Sequence, residues 1–221
     1  MNTHMDVSAE QASSNKTEAK RKYFVVKRVF DVILTSCALI VLSPVFLMIA
    51  IAIRLDSRGP VIYGHCRIGK NGIPFKMYKF RSMVINADQL IDSFTPEQKK
   101  EYYENFKLEK DPRITKVGNF LRKTSLDELP QLINVLKGEL SLVGPRPIVE
   151  AELEKYGTQK EKFLSVTPGV TGYWQANGRS DTTYEQRIEM ELYYVDHASF
   201  ALDLKILWDT VGAVLKRKGA K

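Results

Sequence analysis

Cysteine, histidine and an excess of acid are what this sequence has little of. Only two cysteines occur, Cys37 inside an apolar run and Cys66 beside Arg67, and neither belongs to a CxxC or zinc-type spacing. That argues against a disulfide scaffold and suits a reducing compartment. The three histidines, His4, His65 and His197, stand far apart and share no motif, which disfavours a histidine-built metal centre or catalytic triad. No Gly-rich turn between a strand and a helix suggests a Rossmann unit, and no segment repeats with a period of about 20 to 50 residues. A secretory leader is not expected either, because the hydrophobic run starts only at Val29 and continues too long for an h-region.

What is present is a chain of 221 residues, enough for one catalytic-size domain with appendages. Hydrophobic residues at 44% and charged residues at 27% exclude a wholly disordered chain and a transporter built mostly of apolar spans. Lys and Arg number 33 against 26 Asp and Glu, a net charge of +7, so the field favours phosphates, anionic lipid headgroups or nucleic acid. Nucleic-acid binding would call for basic residues interleaved with exposed aromatics or a reading helix, and neither is evident. No nucleic-acid partner is expected.

Residues 1–22 are polar and nearly free of aliphatics, which predicts a disordered tail. From Val29 to Ile53 the only charge is Asp31, and the uncharged stretch from Val32 to Ile53 is long enough for a membrane helix. Ser43-Pro44 falls near its middle, where proline removes a backbone hydrogen bond and predicts a kink. Each arm is then about fifteen residues or fewer, ~18 to 22 Å of helix against ~30 Å of hydrocarbon. Basic residues flank both ends: Arg21, Lys22, Lys27 and Arg28 before, Arg54, Arg58 and Arg67 after. Short arms and symmetric basic flanks predict a helix-break-helix hairpin that enters one leaflet and returns to the cytoplasmic face, with a kinked spanning helix as the alternative.

After Gly59-Pro60 the composition becomes globular. PFKMYKFRSM alternates like a strand and places Lys79 and Arg81 on one face. Thr95-Pro96-Glu97-Gln98 reads as a helix start with a capping box. Ile114, Val117 and Leu121 recur at helical spacing, as do Phe200, Leu204, Leu207, Val211 and Val214 near the C-terminus, the latter with Trp208 beside them. That last stripe suits either a packing helix or an interfacial one.

Chemistry concentrates between Arg122 and Pro147. Ser125-Leu126-Asp127-Glu128 reads as a capping box, which would put both acids on a first helical turn, where the helix dipole keeps Asp127 ionised and attracts phosphate. Acids on a first turn often do no more than complement the dipole. Here, however, Arg146 is held between two prolines, Arg122 lies five residues before Asp127, and Lys79 and Arg81 share a strand face. Such a set suggests a diphosphate site in which a metal ion bridges carboxylate and phosphate oxygens, a mode common for Mg²⁺. Adjacent acids on a helix diverge too far to face each other across a glycosidic bond, and fit better as a nucleophile with an assistant.

YKFRSM, DPRITKVGNFLRKTS, SLDELPQLINVLKGELSLVGPRP and TPGVTGYWQANGR, following a Ser-Pro-broken apolar segment, resemble the bacterial sugar transferase family of monotopic polyprenyl-phosphate phosphoglycosyl transferases. The resemblance covers roughly Lys27 to Lys216. It implies transfer of a sugar 1-phosphate from a UDP-sugar to polyprenyl (undecaprenyl) phosphate in surface glycan assembly, with release of UMP. By motif, Asp127 resembles the nucleophile and the Mg²⁺ ligand, Glu128 its dyad partner, Arg122 and Arg146 phosphate-binding positions, and Ser43-Pro44 the break of the re-entrant helix. Thr167 to Arg179 resembles a glycine-rich segment near the site, which makes Arg179 a candidate substrate contact beside Lys79 and Arg81. No four-helix membrane region precedes the motifs, as in the small form of the family. The expected fold is α+β and mostly helical: a tail over 1–22, a re-entrant anchor over 23–58, and a cytoplasmic domain over 59–221 with a small β element and amphipathic interfacial helices. The resemblance places the protein at the bacterial cytoplasmic membrane among inner-membrane lipids, and a homodimer is compatible with it.

Overall fold

The computed structural model describes residues 3–105, 108, 111–178 and 182–215. It is mostly helical. A long helix α1 (Thr3–Asp56) leads into the antiparallel hairpin β1 (Ile62–Ile68) and β2 (Pro74–Phe80). Helices α2 (Pro96–Asn105), α3 (Lys116–Thr124) and α4 (Gln131–Lys137) follow. Strand β3 (Ser141–Val143) pairs in parallel with β4 (Gly169–Thr171), separated in sequence by the short helices α5 (Glu150–Leu153) and α6 (Lys160–Leu164). Helices α7 (Tyr173–Asn177), α8 (Tyr184–His197) and α9 (Phe200–Leu215) complete the described chain.

Helix α1 is hydrogen-bonded as a helix through Pro44. Proline cannot donate to the carbonyl of Ile40 four residues back, and the Ser43 hydroxyl takes that carbonyl instead at 2.8 Å. The Ser-Pro pair therefore marks a missing backbone bond with a local substitute. The helix also extends back to Thr3, through the stretch whose composition predicts a tail. Ala, Glu, Gln and Lys there are good helix formers, and Glu18 and Lys22 form an i,i+4 ion pair at 2.7 Å in the favourable order.

Both ends of the apolar part of α1 dock on the same globular body. Near one end, Asp31 Oδ2 accepts from Ser141 Oγ at 2.6 Å and its Oδ1 from Leu142 N at 3.3 Å, while Lys27 and Tyr23 both donate to Asp203 of α9, at 2.8 and 2.7 Å. Near the other end, Ile49 and Ile53 pack with Phe80 and Leu121, and Asp56 accepts from Val117 N at the start of α3 at 3.0 Å. Between them Ile40, Val41, Leu47 and Met48 are exposed. This is the one described helix long and apolar enough to cross a membrane.

Further clusters join the hairpin to the rest of the body. Phe75 and Met77 pack on Val135 and Leu140, and the fully buried Asn134 of α4 bonds one edge of β2, accepting from Tyr78 N at 2.9 Å and donating to Lys76 O at 2.8 Å. Gly138, left-handed at φ 82°, ends α4 where the sequence places a stop. The capping box at Thr95 forms as expected, with Gln98 N on Thr95 Oγ1 at 3.3 Å and Thr95 N on Gln98 Oε1 at 3.0 Å.

Candidate active site

The capping box expected at Ser125 does not form. Ser125 is left-handed (φ 57°) and ends α3, Leu126–Glu128 make a single 3-10 turn, and α4 starts only at Gln131 behind Pro130. The reason is Pro130, which has no N–H for the carbonyl of Leu126 and so cannot continue a helix begun at Ser125. Asp127 and Glu128 consequently stand on a tight turn between two helices, and the charges that act on them come from side chains rather than from a helix first turn.

Those side chains converge on a cleft of about 630 Å³ whose wall includes Lys79, Arg122, Asp127, Glu128 and Arg146. Lys79, late on β2, lies 2.5 Å from Glu128 Oε1 and 3.9 Å from Asp127 Oδ2. Arg122, in the last turn of α3, donates through Nε to Ser82 Oγ at 2.8 Å. Ser82 is itself fixed by its carbonyl, which accepts from Thr115 N at 3.1 Å and lies so close to Gly118 that a Cβ there would overlap it. Five of the sequence candidates thus meet in one place.

Burial pushes the Asp127 acid above the usual carboxylate range; Lys79 opposes the shift, Glu128 adds to it and Arg122 opposes it. For Glu128 burial acts in the same upward sense and is the largest single influence, but the Lys79 ammonium, Arg146 and a hydrogen bond with Gln131 together outweigh it and hold this acid below its usual value. The two neighbours are therefore shifted in opposite senses: Asp127 is made more basic than an ordinary aspartate and Glu128 more acidic than an ordinary glutamate.

Arg81 takes a different role from the one its strand position suggests. Its buried guanidinium donates to three carbonyls of the α1–β1 connection, Pro60 at 2.6 Å, Arg58 at 2.7 Å and Ser57 at 2.9 Å. It borders the cleft, but its donors serve chain carbonyls left without partners where α1 ends. Arg179 lies outside the described residues.

Several participants carry no local sequence signal. Arg67 of β1 lines the cleft, with Nη1 3.6 Å from Glu152 Oε1. Arg187 and Glu191, one turn apart on α8, are buried; Arg187 donates to Glu152 Oε2 at 3.2 Å and lies over the Trp174 ring at 4.6 Å from its centroid. Glu191 Oε2 accepts from the backbone N–H of Arg146 at 2.9 Å. Burial pushes the Glu191 acid up to about 7 against the pull of Arg187. The available signal was charged residues at positions 187 and 191 in register with Tyr194 and Val195, the buried stripe of α8.

Among the described residues no group of three or more His, Cys, Asp or Glu could hold a metal ion alone. The donor set that does exist, two adjacent carboxylates facing a cleft with cations suited to phosphate, matches the usual mode of Mg²⁺, which takes one or two carboxylates and completes its shell with substrate phosphates and water.

The sequence matches the family model described as Bacterial sugar transferase over residues 22–217. Among curated proteins it is 46% identical over 205 residues to the undecaprenyl-phosphate galactose phosphotransferase of Salmonella typhimurium, an alignment covering 91% of this chain and 43% of that protein. It is 47% identical over 209 residues to an uncharacterized sugar transferase of Haemophilus influenzae, covering 93% of this chain and 44% of the relative. With the exopolysaccharide production protein ExoY of Sinorhizobium fredii it shares 45% identity over 199 residues, covering 89% of this chain and 88% of the relative. The chain thus spans less than half the length of the first two.

Proposed function

The chain belongs to the bacterial sugar transferase family, and from that premise we propose that it transfers a sugar 1-phosphate from a UDP-sugar to undecaprenyl phosphate or a related polyprenyl phosphate, feeding synthesis of an extracellular polysaccharide. The observation that carries the reading is the convergence of Asp127 and Glu128 with Lys79, Arg122 and Arg146 around one cleft.

In this mechanism Arg146 and Arg122 receive phosphate oxygens of the donor, their planar forks suited to two parallel bonds each. A Mg²⁺ ion, which Asp127 would hold, would supply charge neutralisation of the diphosphate. An ionised Asp127 oxygen attacks the phosphorus that bears the sugar, an Asp–O–P bond forms, and the bond to the bridging oxygen breaks with its electron pair leaving on UMP. Glu128, ionised beside Lys79, keeps that ammonium next to the reacting carboxylate. In the second half a phosphate oxygen of the lipid attacks the same phosphorus, the Asp–O–P bond breaks, and Asp127 is regenerated. Two half-reactions let a soluble donor and a lipid acceptor use one cleft in turn.

The proposed membrane arrangement rests on α1. Tyr23, Lys27 and Asp31 at one end and Ile49, Ile53 and Asp56 at the other touch the same body, which supports a re-entrant reading in which both ends of the apolar stretch lie on one side of a bilayer, with Ile40 to Met48 entering the leaflet and the backbone bond missing at Pro44 as the weak point of the helix. The basic flanks favour the cytoplasm for that side. On α9 Leu204, Trp208 and Val211 are exposed while Asp203 and Ile206 are buried and Leu207 packs on the core, so part of the apolar stripe read from the sequence faces outward together with Trp208 and fits the membrane interface.

The test is to incubate the protein in phospholipid nanodiscs with undecaprenyl phosphate and a panel of UDP-sugars, measuring the nucleotide released. UMP together with a lipid-linked sugar diphosphate is expected for at least one donor. Release of UDP instead would make this a glycosyl rather than a phosphoglycosyl transfer and overturn the reading.

A further inference from the structure

Proline has no N–H, so in Pro145-Arg146-Pro147 the single backbone donor is that of Arg146. It goes to Glu191 Oε2 at 2.9 Å, a carboxylate with no exposed surface. The other end of the same peptide plane is also held, since Pro145 O accepts from Gly169 N at 2.8 Å. Around this segment, Gly144 N bonds Thr171 O at 2.9 Å and Ile148 O accepts from Ile68 N at 2.9 Å, so β4 and β1 fix the chain just before and just after it. The peptide that presents Arg146 therefore depends on α8 for one of its two anchors.

The anchor is a titratable acid where an amide or hydroxyl acceptor would do. Glu191 Oε1 has no hydrogen-bond partner and looks at Arg187 Nε across 3.8 Å. Arg187 in turn lies over Trp174, and the Arg146 guanidinium lies over the same ring at 5.8 Å from its centroid. A buried carboxylate with an unfilled oxygen is costly to keep, and stability alone would favour an apolar residue at that position. What it supplies here is a fixed Arg146 peptide beside the Trp174 ring that Arg187 and Arg146 share.

We infer that Glu191 is a positioning residue for the transfer reaction, one that acts through Arg146 by clamping its backbone N–H and aiming its guanidinium at the donor diphosphate. This rests on the phosphosugar-transfer reading of the cleft. Glu191 contacts no substrate itself; Arg187 and Trp174 are the platform on which the aim is set.

The test is a double-mutant cycle in nanodiscs on the parent, E191Q, E191A, R146A and the two combinations, reading kcat and KM for the preferred UDP-sugar, the Kd for UDP, and Tm as the control for folding. With Arg146 present, E191Q should lower kcat/KM by roughly three- to tenfold and E191A by more than tenfold, mainly through KM and with a parallel weakening of UDP binding. In the R146A background the same changes should alter kcat/KM and the UDP Kd by less than about twofold, because the group being aimed is gone. Should E191A fail to fold, E191Q and E191Q/R146A make the same comparison; should R146A be too slow to assay, the UDP Kd makes it. Equal losses in both backgrounds would reduce Glu191 to a structural residue and overturn the inference, as would parent-like values for both Glu191 variants. A parent that transfers no phosphosugar from any donor overturns the functional reading itself, a result distinct from either of these.

Discussion

Lys79 Nζ is 2.5 Å from Glu128 Oε1 but 3.9 Å from Asp127 Oδ2, so one ammonium from β2 binds two neighbouring acids unequally. Glu128 takes the short contact and is held acidic, while Asp127 is left with burial as the dominant influence and is pushed upward. A carboxylate nucleophile gains from a basicity raised above its ordinary value, provided it is still ionised at working pH.

The pH profile should report that division. Asp127 must be deprotonated to attack, so kcat/KM falls as pH drops through its raised pKa. Replacing Lys79 by Met removes the nearest cation opposing the shift, raises the Asp127 pKa further and moves the acid limb of the profile to higher pH. A K79M variant whose acid limb coincides with the parent's would contradict the assignment of that limb to Asp127.

Stability should be concentrated where α1 meets α9. Asp203 accepts from Lys27 and Tyr23, and its Oδ1 from Tyr194 at 2.8 Å, all in a buried setting. Asp203→Ala leaves the Lys27 ammonium buried without its partner and should cost about 3 to 5 kcal/mol. In a chain of this size that corresponds to a Tm lower by on the order of ten degrees in detergent or nanodiscs. A drop of less than about two degrees would show that the pair is not structurally important.

How much of this was legible in the sequence depends on the range of the interactions. Asp127, Glu128, Arg122 and Arg146 lie within one contiguous stretch and were readable there, as were the apolar run of α1, the helix stop at Gly138 and the helix start at Thr95. The Ser125 box misled because the local spacing ignores Pro130 five residues on, whose missing N–H divides the segment into a turn and a shorter helix. Arg81 was placed on the Lys79 face by alternation, yet the strand ends at Phe80 and the next residue turns to the carbonyls left at the end of α1. Arg187 and Glu191 reach Glu152 and Arg146 across 35 and 45 positions, and no local pattern encodes a pairing of that kind.

Topology gives a third outcome. In a background with Cys37 and Cys66 replaced by Ser, single cysteines at the exposed positions Lys22 and Lys100 lie on either side of the apolar stretch. A membrane-impermeant maleimide should label both only from the cytoplasmic side, because both ends of that stretch dock on one body. Labelling at position 22 from the outer side would show that α1 crosses the bilayer.

The most direct measurement is the mass of the peptide containing Asp127 after incubation with donor alone. If Asp127 is the nucleophile, the protein without acceptor should release up to one equivalent of UMP and gain the mass of the phosphosugar on that peptide. Asp127→Asn should abolish both, since an amide of the same shape is a poor nucleophile, whereas Glu128→Gln should mainly slow turnover. Release of UMP only when polyprenyl phosphate is present, with no adduct on Asp127 and with normal turnover by the Asn variant, would contradict the covalent mechanism and establish direct transfer from donor to lipid.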